Sequence, residues 1–267
     1  MRCGALRTIL SAALALWFHP TVWADEDGKI SKVIQKQSLR ASELERKQKY
    51  PEAEKAYRAL IITQQRALGA EHPDVWMSRR ELGWVLSCQG KHADAEKEFR
   101  TLLAAKTRVL GAKHRDTLLM RSWVADALHQ QGKDAEAEWE YRVLTTELER
   151  MHGPNDPDLQ LSRGDFAEVL TAQGKYDQAE KQYRASLAAA ERLYGPGSVL
   201  LLGRWGKISH CLEEQGKLKE TLEFAQREEN ALQRFYEGES ENTKRAKAIR
   251  ERIEAKLKEQ PLAEGAK

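Results

Sequence analysis

The histidines and their neighbouring acids are where chemistry would be sought in this chain. Six of the seven histidines lie beyond the first two dozen residues: His72, His92, His114, His129, His152 and His210. Asp126 and His129 are three apart, which puts both on one helix face at a spacing that suits a carboxylate–imidazole pair. A hydrolytic site would also need a nucleophile and an oxyanion donor, and none accompanies them. His72 and His114 occupy matching places 42 residues apart. That separates them by one repeat's stacking distance, whereas metal ligands must converge within about 2–2.6 Å of the ion. They are assigned instead to capping and packing at a turn. "DPD" at 156–158 reads as a helix start, not a calcium loop. The sequence holds no HExxH, no Walker-type glycine loop and no GxSxG. No catalysis, no cofactor and no metal is expected.

The matching histidines lead to the elements that carry them. His72 sits in "GAEHPD" from Gly69 and His114 in "GAKHRD" from Gly111; "GPNDPD" follows from Gly153 and "GPGSVL" from Gly195. A second marker, "QGK", begins at Gln89, Gln131, Gln173 and Gln215 and keeps the same step of 42. Two punctuation marks on one period identify a repeat protein. Each unit reads as helix, turn, longer helix and loop: Pro73 and Asp74 suit a helix start, and Gly90 and Gly111 suit stops.

Aligned unit by unit, the columns hold their character. Leu44, Leu86, Leu128, Leu170 and Leu212 form one; Ala41, Gly83, Ala125, Ala167 and Ser209 form a small-residue column. A second small column runs Ala53, Ala95, Ala137, Ala179 and Thr221, beside the large Tyr57, Phe99, Tyr141 and Tyr183, with Ala225 ending that series. Small residues let the two helices of a hairpin approach, and large neighbours fill the remaining gap. Glu138, next to Ala137, is expected on the solvated side. The domain plan is five hairpins at about 28–68, 69–110, 111–152, 153–194 and 195–236. A capping helix follows over 239–260, with an apolar stripe of Ile249, Ile253 and Leu257, and then a tail at 261–267. The first hairpin is irregular: Gln48 stands where later units have glycine.

Ahead of the repeats, Arg2, Arg7 and the apolar run Ile9 to Phe18 have the make-up of a signal peptide, with Val22 and Ala24 before a cut at Asp25. Residues 1–24 are therefore expected to be a signal peptide, and the product periplasmic or extracellular with no transmembrane span. Removing Arg2 and Arg7 lowers the formal charge from +3 to +1 although 32% of residues are charged. Acids and bases interleave as on solvated helix faces. No basic patch with interleaved aromatics is present, and "TKRAKAIRER" at 243–252 is accounted for by the cap, so no nucleic-acid partner is expected. Cys88 and Cys211 lie in different repeats, three units apart, which argues against a disulfide within one chain.

These columns resemble the tetratricopeptide repeat, in the 42-residue variety of kinesin light chain and many bacterial proteins. Leu82-Gly83, Leu86, Ala95, Phe99 and the "LG..HPD" link carry the likeness, which spans about 28–236. The resemblance implies an all-α, α-α superhelical solenoid with a concave groove lined by first helices. Its groove positions fall on Arg80, Trp84, Ser87 and Cys88; on Ser122, Asp126 and His129; on Gly164, Glu168 and Thr171; and on Gly206, His210 and Glu213. Many relatives carry asparagine in the column of Arg80, Ser122, Gly164 and Gly206. Its absence here leaves recognition of partner side chains along the rim, or use of the convex face. Trp84 is the expected aromatic anchor in the groove. Arg79, Arg121 and Arg163 replace a common leucine: either a ladder binding an acid or carbonyl of the next unit, or a basic stripe for a carboxylate ligand. Two functions follow from the resemblance. One is an exported scaffold or adaptor binding a partner protein or peptide. The other is an envelope component that self-associates, end to end or through Cys88 or Trp84.

Overall fold

A computed structural model describes residues 28–195, 201, 203–236 and 240–259; the expected signal segment 1–24 and the tail 261–267 lie outside them. The fold is an all-α solenoid of tandem helix pairs, divided into two compact units, up to Ala112 and from Lys113. The N-terminal unit holds α1 (Lys29–Arg46), α2 (Tyr50–Leu68), α3 (Pro73–Cys88) and α4 (His92–Leu110). The C-terminal unit holds α5 (Arg115–His129), α6 (Asp134–His152), α7 (Pro157–Ala172), α8 (Tyr176–Tyr194), α9 (Arg204–Glu214), α10 (Leu218–Phe235) and α11 (Glu241–Glu259). Within each unit every helix packs on the next. No helix among the described residues is long and apolar enough to cross a membrane.

The histidines of the repeat links cap helices. His72 Nδ1 accepts the Asp74 N–H at 3.2 Å, and His114 Nδ1 accepts that of Asp116 at 3.2 Å. Asp156 does the same work in the next link, where its Oδ1 takes the Leu159 N–H at 3.0 Å. Each "QGK" turn closes by a backbone bond from the lysine N–H to the leucine five residues back, such as Lys91 to Leu86 at 3.0 Å and Lys175 to Leu170 at 2.9 Å. The glycine between takes a left-handed φ of 75° at Gly90 and 71° at Gly174. Gln48 is forced into the same region at φ 57°, a conformation that costs an L-residue about 1–2 kcal/mol. This is the physical content of the first hairpin's irregularity.

The small columns are fully closed: Ala53, Ala95, Ala137, Ala179 and Thr221 are each 0% exposed, and Tyr57, Phe99, Tyr141 and Tyr183 beside them are buried. Two of the tyrosine hydroxyls cross the hairpin to first-helix acids. Tyr57 Oη donates to Glu45 at 2.7 Å, and Tyr141 Oη donates to Asp126. In the one hairpin with Phe99 in this column, the facing residue is Gly83, where an added Cβ would collide with the ring.

Glu138 is not on the solvated side. Its residue is buried, and its carboxylate takes Lys175 Nζ at 2.6 Å, Gln173 Nε2 at 2.9 Å and the Arg142 guanidinium. The clasp recurs. Glu54 takes Lys91 at 2.7 Å, Gln89 at 3.0 Å and Arg58 at 3.0 Å; Glu180 takes Gln215 at 2.9 Å, Arg184 at 2.6 Å and Lys217 at 3.3 Å. The "QGK" marker therefore has two jobs. Its glycine turns the chain, and its glutamine and lysine hold the glutamate of the preceding hairpin. The Lys91 bond above all, with Gln89 and Arg58, pulls the Glu54 carboxyl down to about 2 against the effect of burial. Burial would raise Glu138 and Glu180 too, but their donors outweigh it and both are lowered.

The arginines of the column are ion-paired within the fold, though not to the next unit as the ladder reading expects. Arg79 Nη1 binds Glu98 at 2.5 Å and Arg121 Nη1 binds Glu140 at 2.5 Å, each within its own hairpin, and Arg163 binds Glu149 of the preceding one at 2.8 Å. Arg121 also lies 5.5 Å from the centre of the Trp139 ring. At the C-terminal end, α11 buries Ala246 and Ile253 and half-buries Ile249 and Leu257. Ser240 caps its start, accepting the Thr243 N–H at 3.1 Å.

Candidate partner-binding face

The predicted groove positions fall on the first helices, and each unit presents its own set. In the N-terminal unit, α3 carries Arg80, Trp84, Ser87 and Cys88, all half-buried. Arg80 Nη2 binds the neighbouring Glu81 at 2.6 Å, and Ser87 Oγ donates to the Gly83 carbonyl at 3.1 Å. Met77, one turn before Arg80, is 44% exposed. This face thus sets the Trp84 ring and Met77 beside the Arg80–Glu81 pair.

In the C-terminal unit α5, α7 and α9 run side by side in register. The Lys207 ammonium on α9 binds Glu168 on α7, and Thr171 Oγ1 lies 3.9 Å from Cys211 Sγ. Burial pushes the Cys211 thiol up. Ser122 is half-buried and donates to its own helix at Leu119, as Thr171 does at Ala167. His129 pairs with Asp134 at 2.6 Å, not with Asp126. The reason is positional: His129 ends α5 and Asp134 opens α6 across the "QGK" turn, so the turn brings them closer than the i,i+3 spacing does. His210 is exposed, its ring meeting Tyr176 edge-on at 5.9 Å between centres. Glu213 is already engaged by Arg252 at 2.6 Å and Lys256 at 2.7 Å of the terminal helix.

The glycines of the column that holds asparagine in many relatives differ from each other. A Cβ added at Gly164 would meet nothing within 4 Å. One added at Gly206 would meet the Glu228 carboxylate, which occupies that space and which burial pushes above the ordinary carboxylate range. Gly164 therefore leaves the face open where Gly206 does not.

Asp165, one residue beyond Gly164, was outside the predicted set. Asp165 is half-buried, and Asp126 lies exposed on the face. Partial desolvation by the surrounding protein raises Asp126 to about 6, against the Tyr141 hydrogen bond and the His129 charge. Burial again, then the charges of Asp126 and Glu168, raises Asp165 to about 8. Asp126 in turn keeps the Tyr141 phenol well above its usual range, after burial itself. The signal for Asp165 was present in the sequence as the column Glu81, Trp123, Asp165 and Lys207, whose character changes at every step. Among the described residues no three His, Cys, Asp or Glu groups assemble as a metal site, and no disulfide joins Cys88 or Cys211.

Solved structures share this architecture. A Podosopora anserina protein described as kinesin light chain with nearly identical TPR-like repeats superposes with a TM-score of 0.67 at 16% identity, over 77% of this chain and 97% of that one. BtubC (BKLC) from P. vanneervenii gives 0.57 at 14%, over 86% and 93%. PlcR of Bacillus thuringiensis, solved with the peptide PapR7 and DNA, gives 0.51 at 14%, over 87% and 76%. At such identities the likeness is one of fold. No match is found among curated proteins. The tetratricopeptide-repeat profile matches residues 33–107 and 158–234, more than half of the sequence, and the chain belongs to that family.

Proposed function

We propose that this protein is an exported, non-catalytic scaffold that binds a segment of a partner protein along its first helices. The observation that carries the reading is the contrast between the two sides of α5 and α7. Behind them Ala125, Leu128, Ala167 and Leu170 are closed at 0–1% exposure. In front, Ser122, Asp126, Gly164 and Glu168 remain accessible and Gly164 leaves open space. Side chains that packing does not need are available for a ligand. PlcR, solved with a peptide, shares the fold.

Photo-crosslinking tests this. A photoreactive side chain at Ser122 or Thr171 is expected to trap a partner from the native host, and one at the exposed Lys97 or Lys181 on second helices is not. Equal yields from both faces would discard the first-helix assignment. In the N-terminal unit, Trp84→Ala is expected to weaken capture of that partner by about 2 kcal/mol, the scale of an aromatic hot spot, with the helical circular dichroism unchanged.

Export is proposed from the N-terminal sequence pattern. The intact mass of protein taken from its native host is expected to correspond to a chain starting at Asp25; a mass that includes Met1 to Ala24 would refute it. One observation favours self-association instead. Met151, Leu193 and Phe235 end successive second helices 42 residues apart and are 40%, 46% and 51% exposed. A monomeric molar mass under reducing conditions would set that alternative aside.

A further inference from the structure

The first helices of the C-terminal unit are joined by a link that repeats in position but not in charge. Glu168 on α7 holds the ammonium of Lys207 on α9, 39 residues away. One repeat earlier the same two positions are Asp126 on α5 and Asp165 on α7. The layer that has acid and lysine in one place has acid and acid in the other. Asp126 accepts a hydrogen bond from Tyr141 Oη. Asp165 is half-buried and feels the Lys207 charge, yet it accepts no hydrogen bond and joins no ion pair among the described residues. Around the pair stand His129, engaged by Asp134, Glu168, engaged by Lys207, and the neutral Tyr141 hydroxyl. The basic groups among them, His129 and Lys207, already have their own acids. An acceptor with such surroundings gains a good deal from an added cation, because a charge-assisted bond replaces repulsion between like charges.

We propose that Asp126 and Asp165 form the receptor for a lysine side chain carried by the partner segment. The proposal rests on the first-helix face being the binding face. Lys207 on Glu168 shows that this register accepts an ammonium group, and the space beside Gly164 admits the chain that would carry it. The attraction is local. The whole chain has a formal charge of +3 and so does not draw a basic peptide by its overall field. A metal ion is the poorer occupant, since only two carboxylates with a phenol converge and no third ligating group completes a site among the described residues.

Fluorescence anisotropy of the full chain tests this. The probes are two labelled heptapeptides, one alternating alanine with lysine and one alternating alanine with glutamate. At low salt near neutral pH the lysine peptide is expected to bind, and the glutamate peptide is not. Binding is expected to fall about tenfold or more in Asp126→Asn/Asp165→Asn, as for the loss of a close charge partner. It should fall likewise in Asp165→Lys, which installs the lysine that the next repeat already carries and so occupies the site from within. The second variant is expected to fold at least as stably as the wild type, so it stays informative where the first does not fold. A lysine peptide that binds either folded variant as tightly as the wild type overturns the proposal, and so does a wild type that binds neither peptide. If photo-crosslinking at Ser122 persists unchanged in Asp165→Lys, the face remains the binding face and the lysine receptor alone is wrong.

Discussion

Ala137→Leu is expected to destabilise the protein by about 1–3 kcal/mol, as overpacking does in a closed core. The neighbouring Glu138→Leu is expected to cost about 2–3 kcal/mol. Ala137 is 0% exposed, in the small-residue column of α6. The three additional carbons of leucine have no void to enter. Glu138 fails for another reason. Its side chain is 11% exposed, and its loss leaves Lys175, Gln173 and Arg142 without their shared acceptor. Breaking a fully buried ion pair costs about 3–5 kcal/mol; the remaining exposure of Glu138, and of Arg142 at 59%, lowers that figure. Ala135→Leu, at an exposed position of the same helix, is expected to change little. Urea midpoints decide the matter. If all three leucine variants melt together, the closed column is misassigned. A double-mutant cycle of Glu138→Gln with Lys175→Met should return a coupling of about 1 kcal/mol; a value near zero would show that the clasp contributes nothing.

The pairing of these two residues also shows what a sequence discloses. Ala137 was legible because its environment repeats: a small residue every 42 positions, beside an aromatic ring, has few uses other than close approach. Glu138 was misread because helical periodicity assigns a charge to water by default. Its partners are 35 and 37 residues away, and only the fold joins them. The information was present, since glutamate follows the small residue in four hairpins and "QGK" follows it, but the link between those two columns is a contact and not a pattern. The arginine column was similar. The sequence left a structural ladder and a ligand-facing stripe both open, because the direction of each bond depends on helix rotation that periodicity does not give. His129 was paired with Asp126 by spacing along one helix, and the turn supplied a nearer acid, Asp134. At the candidate site the first-helix columns located the face. They did not foresee that Glu213 is consumed by the terminal helix, or that Asp165, one residue off the column, holds the unmet charge.

That charge sets the second large effect. Folding raises the Asp165 carboxyl from its ordinary 3.8 to about 8, by burial first and the charges of Asp126 and Glu168 next. A carboxyl raised in this way is neutral in both states below about pH 4, where it does not penalise folding. Between about pH 4 and about pH 8 the unfolded chain ionises while the folded one keeps its proton, so stability is lost progressively; above about pH 8 both states are ionised and the loss is complete. Wild-type stability is therefore expected to decline from about pH 4 to about pH 8. Asp165→Asn removes the decline, with little difference from wild type at the acid end and a gain of about 2–3 kcal/mol at the alkaline end. That figure is below the full linkage value of about 1.4 kcal/mol per unit, because solvent reaches the pair through the open face. Urea midpoints of both proteins across the range test it. A difference that stays constant with pH would mean that Asp165 is not the group responsible. The two experiments on this residue are connected by one argument. The repulsion that weakens the folded chain at high pH is the same free energy that a bound ammonium relieves. The lysine heptapeptide should therefore raise the wild-type midpoint most at alkaline pH and leave Asp165→Asn almost unmoved.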